Sequence, residues 1–208
     1  MIEIKVLDNF LSSEDLYKLQ TINLKKPGIK KMNVYVKKIE NGQASGSGMS
    51  DDTVMHLHRS YHSKAINLLK ELYPEKAKLY EYSEFGITDT GANYEFPIHN
   101  DTPNKLLSGV VYLSPMQGEG THFYNNKKGN KKKTIEWKIN RAVFFSRHEN
   151  YSWHSFDNKS QETRRVLIYN LMTKNIKEVC KIEKVNYFVS KFRYIFNPYL
   201  YRLFKIVI

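Results

Sequence analysis

Between residues 78 and 172 the chain repeats one local pattern: short runs rich in β-branched and aromatic residues, divided by turn-forming clusters. The runs fall at 78–85, 94–100, 107–113, 120–125, 134–138, 141–146, 151–156 and 165–172. About eight short strands at this spacing predict a sandwich or jelly roll.

The residues before that region supply helices. A short strand over 2–10 precedes Ser12, which stands three positions before Asp15 and reads as an N-cap. Leu16, Leu19 and Ile22 follow at helical spacing, and residues 32–38 read as a further strand. The segment Asn41-Gly42-Gln43-Ala44-Ser45-Gly46-Ser47-Gly48 reads as a small-residue loop. Ser50 then opens a second helix whose Leu57, Tyr61, Ala65, Leu68 and Leu72 trace one face before Pro74 stops it. The expected class is mainly β with supporting helices (α+β), a jelly roll with two helices behind one sheet.

A chain of 208 residues, 41% hydrophobic and 26% charged, suits one folded domain. Residues 1–184 are assigned to it, and 185–208 to a basic aromatic tail in which Pro198 opens a last short helix. The single cysteine, Cys180, excludes an internal disulfide and fits a reducing compartment, and residues 1–5 lack the apolar run of a signal peptide. A cytoplasmic location follows, with the tail either packed on the sheet or docked on an acidic membrane surface or a protein partner.

The net charge of +12 is concentrated. The loop 127–133 holds five lysines and no acid, and the chain from Lys174 onward carries a net +6, so the remaining body is nearly neutral. Two basic appendages are a weaker signature than a basic stripe, and no specific nucleic-acid partner is expected.

The chemistry centres on Pro97-Ile98-His99-Asn100-Asp101. In an extended chain His99 and Asp101 project from one face, so an imidazole and a carboxylate can grip one ion. A histidine from a distant strand would complete a two-histidine, one-carboxylate face that leaves the other positions of an iron open. His122, His148 and His154 lie downstream, and His154 has the best surroundings, inside Tyr151-Ser152-Trp153-His154-Ser155-Phe156. A hairpin centred on Lys159 would set His154 opposite Arg164, and a slight change of register would bring Arg165 there instead. A guanidinium suits a dicarboxylic acid whose near end chelates the metal.

His99-x-Asp101, His154 and an arginine ten residues later resemble the 2-oxoglutarate- and Fe(II)-dependent dioxygenases, most of all their prolyl-4-hydroxylase-like branch. The opening Asp8-Asn9-Phe10-Leu11-Ser12-Ser13-Glu14-Asp15 is similar to that branch's N-terminal signature. Val110-Val111-Tyr112-Leu113-Ser114, Gly118-Glu119-Gly120-Thr121-His122-Phe123 and Asn140-Arg141-Ala142-Val143-Phe144-Phe145 resemble its later strands. Asn140 stands where the family usually has glycine. The resemblance covers residues 2–172 and implies a double-stranded β-helix, cupin-like fold. It also implies Fe(II) held by His99, Asp101 and His154, with O2 as oxidant. Arg164, or Arg165 in its place, would bind the remote carboxylate of 2-oxoglutarate, and Tyr112 would add a hydroxyl. The implied reaction hydroxylates an unactivated C–H bond and releases succinate and CO2. Retention of Asp101 favours hydroxylation over the halogenation of related enzymes that have a small residue there. The substrate class is a peptide, with a prolyl side chain as the family-led choice, or a small molecule. The competing readings are a jelly-roll binding module without turnover and an oxygenase acting on nucleic acid.

Other features take plainer readings. His58 and His62 lie four apart on the second helix with no acidic or cysteine partner, and read as packed or solvent-facing. The lysine loop reads as a solvated hairpin tip. Trp153 and the Asn41–Gly48 loop are assigned to covering the mouth of the site.

Overall fold

The computed structural model describes residues 2–204, with side chains as far as residue 196. Its strands are β1 (Lys5–Leu7), β2 (Met32–Glu40), β3 (Gln43–Gly46), β4 (Tyr82–Thr90), β5 (Tyr94–His99), β6 (Lys105–Ser114), β7 (Thr121–Tyr124), β8 (Lys133–Ile135), β9 (Ala142–Phe145), β10 (Trp153–Asn158) and β11 (Arg164–Met172). The helices are α1 (Ser13–Thr21), α2 (Asp51–Leu72), α3 (Pro74–Ala77), α4 (Ile176–Ile182) and α5 (Tyr187–Phe204). Seven strands form a large sheet in the order β1-β9-β6-β11-β4-β2-β3, and four form a small one in the order β5-β10-β7-β8. All described pairings are antiparallel. This is the expected jelly roll.

Alternation along the central strands divides the large sheet into two faces. On β11, Leu167, Tyr169 and Leu171 pack with Phe85 and Ile87 of β4 and Leu107 and Val111 of β6. Leu19 of α1 and Val54, Leu57, Ala65 and Leu69 of α2 cover that face. The intervening residues of β11 face the small sheet and line an internal cavity. Both helices begin where the sequence places their caps: the Ser12 hydroxyl accepts from the Asp15 amide at 3.1 Å, and that of Ser50 from the Thr53 amide at 3.2 Å. Asn140 adopts a φ of 62°, and its side-chain amide pairs with both backbone groups of Leu11 at 2.8 Å. An asparagine thus fills a left-handed position and also ties the entry to α1 to the sheet.

Three expectations change. The strand placed at 78–85 is β4, which runs from Tyr82 to Thr90 because β2 and β11 hydrogen-bond it on both sides. The Asn41–Gly48 segment is no free loop or lid. Asn41 and Gly42 have φ of 51° and 74°, the geometry of a tight hairpin turn, and β3 returns along β2. The last helix starts long before Pro198, because the Asn186 side chain accepts from the Phe188 and Val189 amides at 2.9 and 3.2 Å.

The start of α5 is fastened by Ser190 and by Arg193, which pairs with Glu149 at 2.6 Å. Phe188, Phe192 and Phe196 point outward, 79%, 52% and 43% exposed, so these rings do not pack on the sheet. The tail's further aromatic side chains, Tyr199, Tyr201 and Phe204, lie outside the described residues. No helix among the described residues is long and apolar enough to cross a membrane.

Candidate metal and anion site

The three ligand atoms expected from the sequence converge. One donor atom each from His99, Asp101 and His154 lies within 4.8 Å of the others. His99 and His154 are directly opposed partners on β5 and β10, and their ring centroids are 4.1 Å apart. That pairing depends on an irregularity. Phe96 also faces Phe156, yet three positions separate Phe96 from His99 while two separate His154 from Phe156. The strand β5 therefore holds one extra residue, a bulge at Pro97 and Ile98. Proline has no amide proton and is tolerated at such a point on an edge strand, which β5 is. Without the bulge Ile98 would face His154 and His99 would point away.

The donor set fits a divalent ion. The Nδ1 atoms of His99 and His154 bond the carbonyls of Pro97 and Ser152 at 3.0 and 2.8 Å, which fixes both rings and leaves each Nε2 for a metal. Burial, reinforced by His154, pushes His99 down to about 3, and burial likewise lowers His154, so both rings are neutral at physiological pH. Burial alone would raise the Asp101 carboxyl, but Lys105 and the two imidazoles outweigh it and hold it below the usual carboxylate range. Lys105 Nζ lies 2.6 Å from Asp101 Oδ1, and the Ser108 hydroxyl donates to Oδ2 at 2.5 Å. The ligands therefore stand in the protonation states a metal requires.

The cavity beside them, about 250 Å³, is lined by His99, Asp101, His154 and Arg164 among others. Arg164 is 2% exposed, and its guanidinium carbon lies 4.7 Å from the Phe156 ring and 5.1 Å from that of Trp137. Among the described residues its one hydrogen bond to protein is a 3.4 Å contact from Nε to the Glu119 carbonyl, and it has no carboxylate partner there. Burial pushes it down to about 10, still fully charged at neutral pH. A desolvated guanidinium in that state invites an anion.

The two arginines are told apart by strand alternation. Arg165 points to the helical side, where it pairs with Asp89 through contacts of 2.7 Å and donates to the carbonyls of Gln20 and Ile22. The expected hairpin between His154 and Arg164 does not form. β10 belongs to the small sheet and β11 to the large one, and Arg164 pairs with Thr90. The connection is a crossover between sheets, pinned by Asn158, whose Nδ2 lies within 3.0 Å of the carbonyls of Thr90, Gly91 and Glu162.

Tyr112 is fully buried, and its hydroxyl donates to Thr121 Oγ1 at 2.9 Å. Its ring stacks on Trp137 and lies 5.8 Å from the Arg164 guanidinium. Trp153 stands beside a separate crevice near Arg193 and not over this cavity. His122 bonds Thr134 and Asp157, and His148 lies outside the cavity lining. His58 and His62 stack at 4.3 Å between α2 and the sheet. Lys105, Ser108, Glu84 and Asn170 also line the cavity and carry no motif of their own. Strand parity relative to Arg164 was the available signal for Asn170.

The fold is the double-stranded β-helix of the 2-oxoglutarate- and Fe(II)-dependent oxygenases, in the form found in prolyl hydroxylases. A prolyl-4-hydroxylase from Pseudomonas putida aligns over 83% of this chain and 93% of its own, with a TM-score of 0.56 and 13% identity. An oxidoreductase of the 2-oxoglutarate-Fe(II) oxygenase family from Burkholderia pseudomallei aligns over 81% and 84%, with a TM-score of 0.59 and 12% identity. A Trichoplax adhaerens prolyl hydroxylase, in complex with a peptide fragment of the hypoxia inducible factor oxygen degradation domain, aligns over 85% and 86%, with a TM-score of 0.58 and 14% identity. No family model matches the sequence, and no curated protein matches it.

Proposed function

We propose that this protein is an Fe(II)- and 2-oxoglutarate-dependent dioxygenase that hydroxylates an unactivated C–H bond. The observation that carries the reading is the pairing, in one cavity, of a ligand-ready His99–Asp101–His154 face with a buried guanidinium, Arg164, that has no carboxylate partner among the described residues. Iron bound there would supply oxygen activation coupled to decarboxylation of the keto acid, with succinate and CO2 as products.

The chain's own residues orient and protect. His99 and His154 offer Nε2 because the Pro97 and Ser152 carbonyls hold their other nitrogens. Ser108 fixes the Asp101 carboxylate. Arg164 would anchor the far carboxylate of 2-oxoglutarate, and its aromatic surround of Phe156 and Trp137 keeps water from competing for that contact. Tyr112 would act through its ring and through Thr121, which lines the cavity. The substrate is a peptide or small molecule. A prolyl residue is the first to test, since two of the structural neighbours are described as prolyl hydroxylases.

Anaerobic reconstitution with Fe(II) and 2-oxoglutarate, followed by oxygen, tests the reading. Wild-type protein is expected to release succinate even without a second substrate, and Asp101→Ala to release none. Absence of succinate from metal-loaded wild type would overturn the proposal.

A further inference from the structure

The cavity has a second polar end. Cavity-facing positions of β11 run Arg164, Val166, Ile168, Asn170, which places Asn170 about 20 Å from Arg164 along the strand. A five-carbon keto acid anchored at Arg164 and chelated at the triad does not reach that end. Asn170 is directly opposite Glu84 on β4 and Ser108 on β6, and Ser108 donates to Asp101. Glu84, Asn170 and Ser108 thus form one row across three strands that ends at a metal ligand.

This row is short of donors. Asn170 is 4% exposed, and its Oδ1 has no hydrogen-bond partner, although its side chain bonds the Glu84 carboxylate. Glu84 has no ion-pair partner among the described residues. Burial pushes its carboxyl up from the ordinary value. The amide oxygen has no partner and the carboxylate has no cation in contact, although Lys105 and Lys38 act on it from farther away, so a cationic N–H donor placed between the two satisfies both at once. The neighbouring row is apolar. Gly86 lies between Val36 and Ile168, and the exposed Val34 and Val36 continue the surface to the mouth. Gly86 keeps that floor low, since a Cβ there would sit 3.1 Å from the Tyr35 carbonyl oxygen.

We infer that Glu84 and Asn170 form a substrate subsite for an ammonium group carried on a small apolar body, the chemistry of a free aliphatic or imino amino acid. The subsite rests on the dioxygenase reading and narrows its substrate. The ammonium donates to the Glu84 carboxylate and to Asn170 Oδ1, while the apolar part lies over Gly86 and Ile168 toward the metal face.

Full-length protein loaded anaerobically with Fe(II) and 2-oxoglutarate is titrated by calorimetry with L-proline, L-leucine, L-isoleucine and L-valine. The N-acetyl derivatives and a proline-rich peptide are titrated beside them. At least one free amino acid is expected to bind ten times more tightly than its acetylated form and to stimulate succinate release on admission of oxygen. Glu84→Gln and the near-isosteric Asn170→Leu are each expected to weaken that binding about tenfold, with thermal melts confirming the fold. Equal affinity for free and acetylated forms, binding of the peptide alone, no binding by any of the four amino acids, or unchanged affinity in a folded variant would overturn the inference. Because wild type makes succinate without added substrate if the dioxygenase reading holds, failure of the subsite and failure of that reading give different results.

Discussion

Arg147 donates through Nε to the backbone carbonyl of Asp101 at 3.0 Å, so a guanidinium buried to 2% exposure holds the peptide that carries a candidate metal ligand. Its other nitrogens bond Glu183, the residue that caps the C-terminus of α4, at 2.6 Å, and Glu149. Lys76 reaches the same Glu183, and Arg193 of α5 reaches Glu149. The C-terminal helices are thereby joined to the ligand loop through one buried ionic cluster. Arg147→Met should cost no more than about 3–5 kcal/mol, since Glu183 and Glu149 each lose one cation but keep Lys76 and Arg193. Chemical denaturation measures the loss, and Mn(II) titration of the folded fraction should show weaker binding as Asp101 loosens.

Arg164 and Arg165 should separate function from stability. Arg164→Met is expected to raise KM for 2-oxoglutarate by roughly ten- to a hundredfold, the equivalent of ~1.5–3 kcal/mol for hydrogen bonds to a charged group. Steady-state succinate assays read this directly. Arg165→Leu removes the partner of fully buried Asp89 and should instead lower stability by about 3–5 kcal/mol. Equal effects of the two on KM would contradict the division of β11 into two faces.

Metal should bind without waiting for protons to leave. His99 titrates near pH 3 and Asp101 is held below its usual range, so both are ligand-ready through neutral pH. Because burial lowers His154 as well, Mn(II) affinity is expected to fall less steeply below about pH 6.5 than it would with ordinary histidine ligands. At about 100 times its Kd the ion should stabilise the protein by about 2.7 kcal/mol, raising Tm by on the order of 5–10 °C. Asp101→Ala should show no such rise.

Acid sensitivity should arise partly on the helical side of the sheet. Burial, with His62 beside it, pushes His58 down to about 4, and burial lowers His62 too. The unfolded chain takes up these protons first, near pH 6.5. The stability contributed by the neutral rings is therefore complete above about pH 6.5 and is lost as pH falls toward 4. Comparing melts of metal-free wild type and His58→Leu across that window should show a flatter acid limb in the variant.

The sequence announced this site through short-range geometry. Two residues on one strand face, His99 and Asp101, needed only the period of a β-strand. His154 was singled out by its surroundings and Arg164 by a supposed hairpin position opposite it, although that hairpin was the wrong connection. Nothing local marks residues 159–163 as a crossing between sheets, because Asn158 pins that crossing to carbonyls more than sixty positions away in the chain. The extension of β4 to Thr90 was hidden for a related reason: Gly86 and Asp89 are poor strand formers that pairing on both sides overrides. Glu84, Asn170, Lys105 and Ser108 were illegible singly, since their meaning lies in cross-strand adjacency.

The extra residue at the edge of the small sheet carries a lesson about heredity and engineering. Pairing the same residues without the bulge would rotate one imidazole to the wrong side and set an aliphatic group in its stead, whereas excising Ile98 itself would let a regular strand carry that imidazole to the same partner. What is inherited here is a count of peptide units as much as a set of chemical groups, and a deletion series through Phe96–Asn100 would probe it where point substitutions are blind.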